Sequence, residues 1–483
     1  MKKPVAAAAA GAAAALAGAV AVRTMRFKPG PEPDAPTTPD RVQIDGRKAV
    51  DDLAAMIRCR TVSNRDHSVE DEGEFERFRG LLRERFPAVH GNCSLQRVGR
   101  CGLLYHWKGT EGGPATVLMA HYDVVPAEES GWTHPPFGGV VEDGVLYGRG
   151  ALDTKVTLCG CLEAAEQLIG SGFTPRRDVY FAFSGEEEIA GPSAADIVCE
   201  LERRGVEPSL VLDEGGAVVQ GVFPGLKRPC ALIGTAEKGQ MQLELSMKSS
   251  GGHASAPPRH TIAGELARAA ARIEAHPFPF RLTPPAAELL DTLGRHSTWP
   301  VRLVMANLWL FKPLLSLATA LMGGELNALV RTTCAVTQMS GSPASNVLPP
   351  EASVGLNVRM ICSDSAESAE RRIHSVIRNR DIRLRRGPCA EPSPVSETGE
   401  CEGWLRLTDA VRRTWPEAIV SPYLMLAASD SRHYGRISRR VYRFCPLELT
   451  GAERAGIHGN DEHIPAHKIV KCAEFYARLL SSC

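Results

Sequence analysis

The chain has 483 residues, 43% hydrophobic and 23% charged, with 56 basic and 56 acidic side chains. That length holds two or three domains, and the composition is that of a globular protein. The balanced charge gives no support to nucleic-acid binding. The 14 cysteines are scattered without a paired C-x-x-C spacing, so they do not form a zinc ribbon. Cys93 with Cys101, or Cys389 with Cys401, are spaced for pairing in an exported protein, and buried free thiols are the other reading.

The N-terminus opens with Lys2 and Lys3, continues as an uncharged, alanine-rich stretch from Pro4 to Val22, and closes on Arg23, Arg26 and Lys28. The stretch is just long enough to span a bilayer, but alanine is only weakly apolar. The basic start and Ala19-Val-Ala21 also fit a cleavable secretory signal. Residues 1–28 are therefore expected to be a signal peptide or signal anchor, which places the protein outside the cell or on a membrane held through residues 4–22. Residues 29–44 are proline-rich at their start and read as an extended linker, because proline donates no backbone hydrogen bond.

Helical spacing of apolar residues follows over 46–60 and 70–86. Residues 115–120 form a short apolar run that ends at His121 and reads as a buried strand. A helix is expected over 153–170, stopped by glycine. Strands are expected over 178–184, which runs into Glu186, Glu187 and Glu188, and over 209–213, which ends in Asp213. Strands alternating with helices predict a mostly parallel sheet flanked by helices, an α/β fold. In such sheets ligands gather beyond the carboxyl ends of the strands, where His121, the glutamates and Asp213 all fall.

The pattern changes after Lys238. A strand over 240–247, a helix over 261–275, strands over 332–339 and 352–360, a helix over 366–378 and a strand over 381–385 give the β-α-β-β-α-β order of a split-βαβ unit. The expected division is a catalytic domain over 45–237 and 389–483, interrupted by an inserted α+β lid or dimerisation domain over 238–388. The connection 276–331 is long for a compact domain and holds the apolar piece Val301–Met322. That piece suits an acyl-chain groove or contact with a membrane surface, or else a helix packed on the inserted domain.

His121-Tyr-Asp-Val-Val-Pro126, Gly148-Arg-Gly-Ala-Leu-Asp153, Gly185-Glu-Glu-Glu188, Asp213 and Ile457-His-Gly459 are metal-ligating residue types at loop positions. Each alone is ordinary: a helix cap, a solvated glutamate run, a loop histidine. In this order they resemble the M20 family of dizinc peptidases and amidohydrolases. The wording Asn327-Ala-Leu-Val-Arg-Thr-Thr333, Asn346-Val-Leu-Pro-Pro350 and Val441-Tyr-Arg-Phe-Cys-Pro446 is similar to the branch of carboxypeptidase S and the N-fatty-acyl-amino-acid synthase/hydrolases.

That resemblance implies two zinc ions, with Co2+ or Mn2+ as alternatives. It makes His121, Asp153, Glu188, Asp213 and His458 the ligands, with Asp153 bridging and Asp123 orienting His121. Glu187 is the implied general base, in the register where Glu186 takes no part; a slip of one residue would make Glu186 the base. His253, in Ser250-Gly-Gly-His253, is implied as the oxyanion donor, Arg359 as the grip on a substrate carboxylate, and Asn346 as a further substrate contact. The expected substrate is a peptide or N-acyl amino acid with a free carboxylate, handled by a monomer or homodimer and cleaved at its amide, or made by the reverse reaction. A dipeptidase, a short-chain aminoacylase and a noncatalytic binding protein that kept the fold are the other readings.

Overall fold

The computed structural model describes residues 2–30, 40, 41, 43–221 and 223–483. Most of the 29–44 linker therefore lies outside the described residues. Strands and helices are numbered in chain order.

The large sheet has eight strands. From one edge they run β1 (Cys93–Val98), β2 (Gly102–Trp107), β6 (Val179–Ser184), β3 (Ala115–His121), β7 (Pro208–Val219), β16 (Val441–Leu449), β8 (Cys230–Glu237) and β15 (Ile419–Met425). β6, β3, β7 and β16 are mutually parallel, and β15 runs parallel to β8. β1 and β2 form an antiparallel edge. All seven residues of β3 and all six of β6 are buried, so their sequences read as continuous apolar runs, as a strand covered on both faces requires.

Helices α2 (Gly46–Ile57), α3 (Glu72–Arg85), α4 (Pro87–Asn92), α5 (Lys155–Gly170), α13 (Glu402–Thr414) and α15 (Ala466–Leu480) pack with one face into the largest apolar core. α6 (Ser193–Arg203) closes the other face over Val117, Met119 and Tyr180. A small sheet of β4 (Val140–Glu142), β5 (Val145–Tyr147) and β17 (His463–Pro465) joins the loop before Asp153 to the loop after His458.

The second sheet is antiparallel, in the order β11 (Thr333–Ser340), β13 (Glu351–Met360), β9 (Gly239–Lys248), β14 (Arg383–Ala390). With α7 (Ile262–Ala275) and α12 (Ala366–Ile377) it encloses its own core, where Leu243, Leu266, Val354 and Ile373 meet. β13 alternates strictly between buried and half-exposed positions, the mark of a sheet covered on one face. A two-stranded piece, β10 (Gly252–His253) with β12 (Val347–Leu348), projects from this unit.

The long connection is four helices: α8 (Pro284–His296), α9 (Trp299–Ala306), α10 (Leu308–Met322) and α11 (Gly324–Val330). Although it falls between strands of the second sheet in sequence, α8 packs on the β8–β15 edge of the large one, with Leu289, Leu290 and Leu293 beside Ile419 and Leu424. α14 (Gly451–Gly456) precedes the His458 loop and carries a capping box between Thr450 and Glu453. At the N-terminus α1 (Lys2–Arg26) is a helix. No single helix among the described residues is long and apolar enough to cross a membrane. All fourteen cysteines are unbridged, so neither Cys93–Cys101 nor Cys389–Cys401 is paired.

Where α2 meets α5, Asp52 and Glu163 lie fully buried and share the Lys48 ammonium at 2.6 and 2.8 Å. Burial, and then the neighbouring Asp52, push Glu163 up to about 8 against the pull of Lys48. A carboxyl raised in the folded state contributes stability below its ordinary value, and that contribution fades as pH climbs through the folded value. Glu163→Gln removes that dependence. The variant's melting temperature relative to wild type should therefore rise between pH 5 and pH 9, by about a degree or more, as scanning calorimetry at the two pH values would read.

Candidate metal centre

Strand ends bring the site together. β3 stops at His121, β6 runs into the glutamate turn, and β7 passes Asp213 and Glu214, all at adjacent carboxyl ends of the sheet. The loop before α5 supplies Asp153 and the loop after α14 supplies His458, which sits at φ +60°.

Asp153 lies between the two imidazoles. Its Oδ1 is 3.0 Å from His121 Nε2 and its Oδ2 is 2.8 Å from His458 Nε2. His458 Nε2 is also 3.2 Å from Glu188 Oε1. On the other side His121 Nε2 is 3.5 Å from Glu214 Oε1. Ligand atoms of His121, Asp153 and Glu188 fall within 4.8 Å of one another, as do those of His121, Glu187 and Glu214.

Asp123 fixes this arrangement from below. Its backbone carbonyl is 2.9 Å from His121 Nδ1, with its carboxylate at 3.4 Å, so the imidazole presents Nε2 to the cleft. Its two carboxylate oxygens accept the backbone N–H groups of Glu187 and Glu188, at 3.1 Å each, and one also accepts Ser63 Oγ at 2.7 Å. Glu186 turns away: its carboxylate is buried against Arg100, at 2.9 Å, and accepts the Ser193 hydroxyl. Glu187 and Glu188 therefore face the imidazoles, and Glu186 does not.

Among the described residues the ligand-atom groups around His121 include Glu214 and not Asp213. The Asp213 carboxylate is buried and accepts the Ser431 backbone N–H at 2.9 Å. The reason is a bulge. Asp213 pairs with Arg443 and Gly216 with Phe444, the next residue of β16, so Glu214 and Gly215 have no partner there. Gly215 adopts φ +135°, and a Cβ at Gly215 would lie 2.5 Å from Met425 Sδ. Such a bulge re-aims a side chain, here that of Glu214 into the cleft. The resemblance implies Asp213, the first of the two acids; the Gly-Gly pair after Glu214 is the local signal of irregularity.

Glu462 and Arg149 are supports with no local signal in the sequence. Glu462, fully buried, accepts the backbone N–H groups of Leu152 at 2.6 Å and Asp153 at 3.2 Å, and pairs with Arg149 at 2.7 Å. Arg149 also donates to the carbonyl of Gly459, at 2.9 Å, tying the Asp153 loop to the His458 loop. Asp430 is buried beside Asp213 and is pushed up to about 7, first by burial and then by that neighbour.

The charge balance is uneven. Burial lowers His121, but Glu214, Asp123 and Asp153 outweigh it and hold the imidazole above its ordinary value. Asp153 and Glu188 lift His458 to about 10. Burial raises Glu187, and it raises Glu214 to about 8. Carboxylates crowded around two imidazoles call for more positive charge than two protons supply. Imidazole nitrogen and carboxylate oxygen in these positions are a donor set that fits divalent cations, zinc among them.

The residues expected from the second unit are elsewhere. His253 and Asn346 are exposed on the β10–β12 piece, where Ala254 N–H donates to the Asn346 carbonyl at 3.0 Å. Among the described residues neither side chain is bonded to the carboxylate cluster. Arg359, half-buried on β13, donates Nε to Asn357 Oδ1 at 3.1 Å. Burial pulls Arg359 below its ordinary value, and no carboxylate of the described residues pairs with it.

Residues 117–482 match the family model described as peptidase family M20/M25/M40. The N-fatty-acyl-amino acid synthase/hydrolase PM20D1.1 of Danio rerio is 36% identical over 446 residues, 90% of this chain and 85% of that protein. A probable carboxypeptidase S-like 2 of Dictyostelium discoideum is 34% identical over 438 residues, 89% of this chain and 84% of that protein. The M20 family metallo-carboxypeptidase Sso-CP2 from Sulfolobus solfataricus has the same fold, with a TM-score of 0.64 at 17% identity, over 89% of this chain and 98% of that one.

The geometry separates the two adjacent acids of β7. Glu214→Gln should weaken zinc binding by roughly 10-fold or more, whereas Asp213→Asn, which can still accept the Ser431 N–H, should leave it within a few-fold of wild type. Titration of the metal-stripped protein with zinc by calorimetry checks this, and the opposite order would return the ligand role to Asp213.

Proposed function

The chain belongs to peptidase family M20/M25/M40, and from that premise we propose that it is a dizinc hydrolase of amide bonds whose substrates carry a free carboxylate. The observation that carries this reading is Asp153, which offers one oxygen to each of two imidazoles 3.0 and 2.8 Å away. In the proposed set Asp153, His121 and Glu214 would hold one cation, and Asp153, Glu188 and His458 the other. Divalent cations held there would polarise the scissile carbonyl and acidify a water.

The chain's own groups do the rest. Glu187 takes a proton from the attacking water as the oxygen adds to the carbonyl carbon, and returns it to the nitrogen as the C–N bond breaks. The Asp123 carboxylate, holding the Glu187 and Glu188 N–H groups, keeps base and ligand in register. Arg359, which pairs with no carboxylate of the described residues, receives the substrate carboxylate through its planar fork. His253 and Asn346 stand in solvent, so their part in the reaction requires the β10–β12 piece, or its counterpart in a second copy, to move over the cleft. His253 then donates to the developing oxyanion, which is worth roughly 2.7–4 kcal/mol in sites of this kind.

Among acyl groups we favour long chains. The support is the 36% identity, over 90% of the chain, to a protein named an N-fatty-acyl-amino acid synthase/hydrolase. Carboxypeptidase action is the second reading, supported by relatives named carboxypeptidase S-like. Glycine in place of a catalytic group is not needed to separate them; a matched pair of substrates does so. Purified protein should hydrolyse N-oleoyl-phenylalanine faster than a blocked dipeptide with a free C-terminus, and chelator should abolish both activities. Faster turnover of the dipeptide would make it a carboxypeptidase, and chelator-resistant turnover would overturn the metal reading. Glu187→Gln should keep bound zinc and lose about 10²-fold or more in kcat; a variant with wild-type kcat would remove Glu187 from the mechanism.

A further inference from the structure

Among the described residues seventeen large apolar side chains are exposed, and ten of them lie on α1, α9 and α10. On α10, Leu310, Leu314, Leu317 and Leu321 recur at intervals of four, three and four residues, which places them on one stripe of a helix. Trp309 is exposed at the start of α10 and Trp299 at the start of α9. The opposite side of α10 is the one fixed to the protein: Thr319 is buried, and Arg331 donates to Thr319 Oγ1 at 3.0 Å and to the Ser316 carbonyl at 2.8 Å.

α1 is fastened to the same place. α9 and α10 turn through 108° at Asn307, which is buried and donates to Thr24 Oγ1 at 3.1 Å. Arg23 donates to the Ala306 carbonyl at 3.2 Å, and the Arg295 guanidinium lies 4.5 Å from the Phe27 ring. Val22 and Met25 remain exposed beside these contacts.

The charge of these segments is one-sided. Residues 2–28 contain Lys2, Lys3, Arg23, Arg26 and Lys28, and residues 299–322 contain Arg302 and Lys312; neither segment contains an acid. The whole chain is balanced at 56 of each sign, so the excess of positive charge is local to the apolar face. We propose that α1, α9 and α10 together form a docking surface for an anionic lipid interface, on which the α10 leucine stripe and the two tryptophans enter the headgroup region. Apolar burial with tryptophan at the interface and basic residues toward anionic headgroups is the physical basis of such binding. The 108° bend between the 8-residue α9 and the 15-residue α10 suits a segment lying in the interface rather than crossing it. This surface is separate from the metal centre and stands whether or not the proposed substrate class is correct.

The test is flotation of the full chain with phosphatidylcholine vesicles, with and without phosphatidylserine. Wild type should float with the mixed vesicles and less with phosphatidylcholine alone. Leu310→Glu/Leu314→Glu/Leu317→Glu should reduce partitioning about tenfold or more, while hydrolysis of a soluble short-acyl substrate stays within twofold of wild type. Lys312→Glu, a single change at an exposed position, should weaken binding only to the mixed vesicles and covers the case in which the triple variant fails to fold. Glu187→Gln should float as wild type does, so a failed substrate assignment leaves this result untouched. The proposal is overturned if wild type stays with the soluble fraction, if the variants float equally well, or if wild type is a dimer that the triple variant makes monomeric without any flotation of either.

Discussion

Negative charge confined at the carboxyl ends of β3, β6 and β7 is the constraint on which the rest of the structure depends. Asp123, Asp153, Glu187, Glu188 and Glu214 converge on His121 and His458, and Asp213 and Asp430 lie just behind them. Buried carboxylates in such numbers repel one another unless each is fixed by donors or by cations. The surroundings supply the donors. Asp123 takes two backbone N–H groups and a hydroxyl, Asp213 takes the Ser431 N–H, and Glu462 holds the peptide of Asp153. Asp153, Glu188 and Glu214 present oxygens to the imidazoles, and those are the ones available to metal.

This division explains why the parallel centre of the sheet matters to the site. Parallel strands end side by side, so residues far apart in sequence leave the core at one place with their backbones already fixed. The sheet alone would leave Asp153 and His458 on separate loops. Arg149 and Glu462 close that gap: one ion pair, 3% and 0% exposed, holds the Asp153 peptide with one partner and the Gly459 carbonyl with the other. Losing either partner would leave a buried charge uncompensated as well as freeing both loops.

Much of this was legible in the sequence, where local pattern and local structure agree. The apolar runs into His121 and the glutamates marked β3 and β6, and the alternation in 352–360 marked β13, because a strand's burial is written residue by residue along it. What was not legible depended on partners distant in the chain. The choice between Asp213 and Glu214 rests on the register of β7 against β16, more than two hundred residues away, and on a bulge whose only local trace is Gly215-Gly216. The role of Glu462 rests on backbone amides near residue 152. α8 covers the large sheet although its sequence neighbours belong to the second one, since apolar periodicity records that a face is buried and not what buries it. His253 and Asn346 carry the wording of substrate contacts, yet stand in solvent, because wording does not encode the position of one unit over another.

The exposed helices are held to the rest of the molecule at several points. Arg331 fastens α10 through its guanidinium, and its own carbonyl accepts Lys238 Nζ at 3.1 Å. Lys238 sits where the chain passes from β8 of the large sheet into β9 of the second, and burial, then the nearby Arg359, lower it to about 7. Glu325, at the start of α11, pairs at 3.5 Å with Arg454 on α14, four residues before His458. The outer helices are thus joined to the crossover between the two sheets at one end and to the rim of the metal centre at the other.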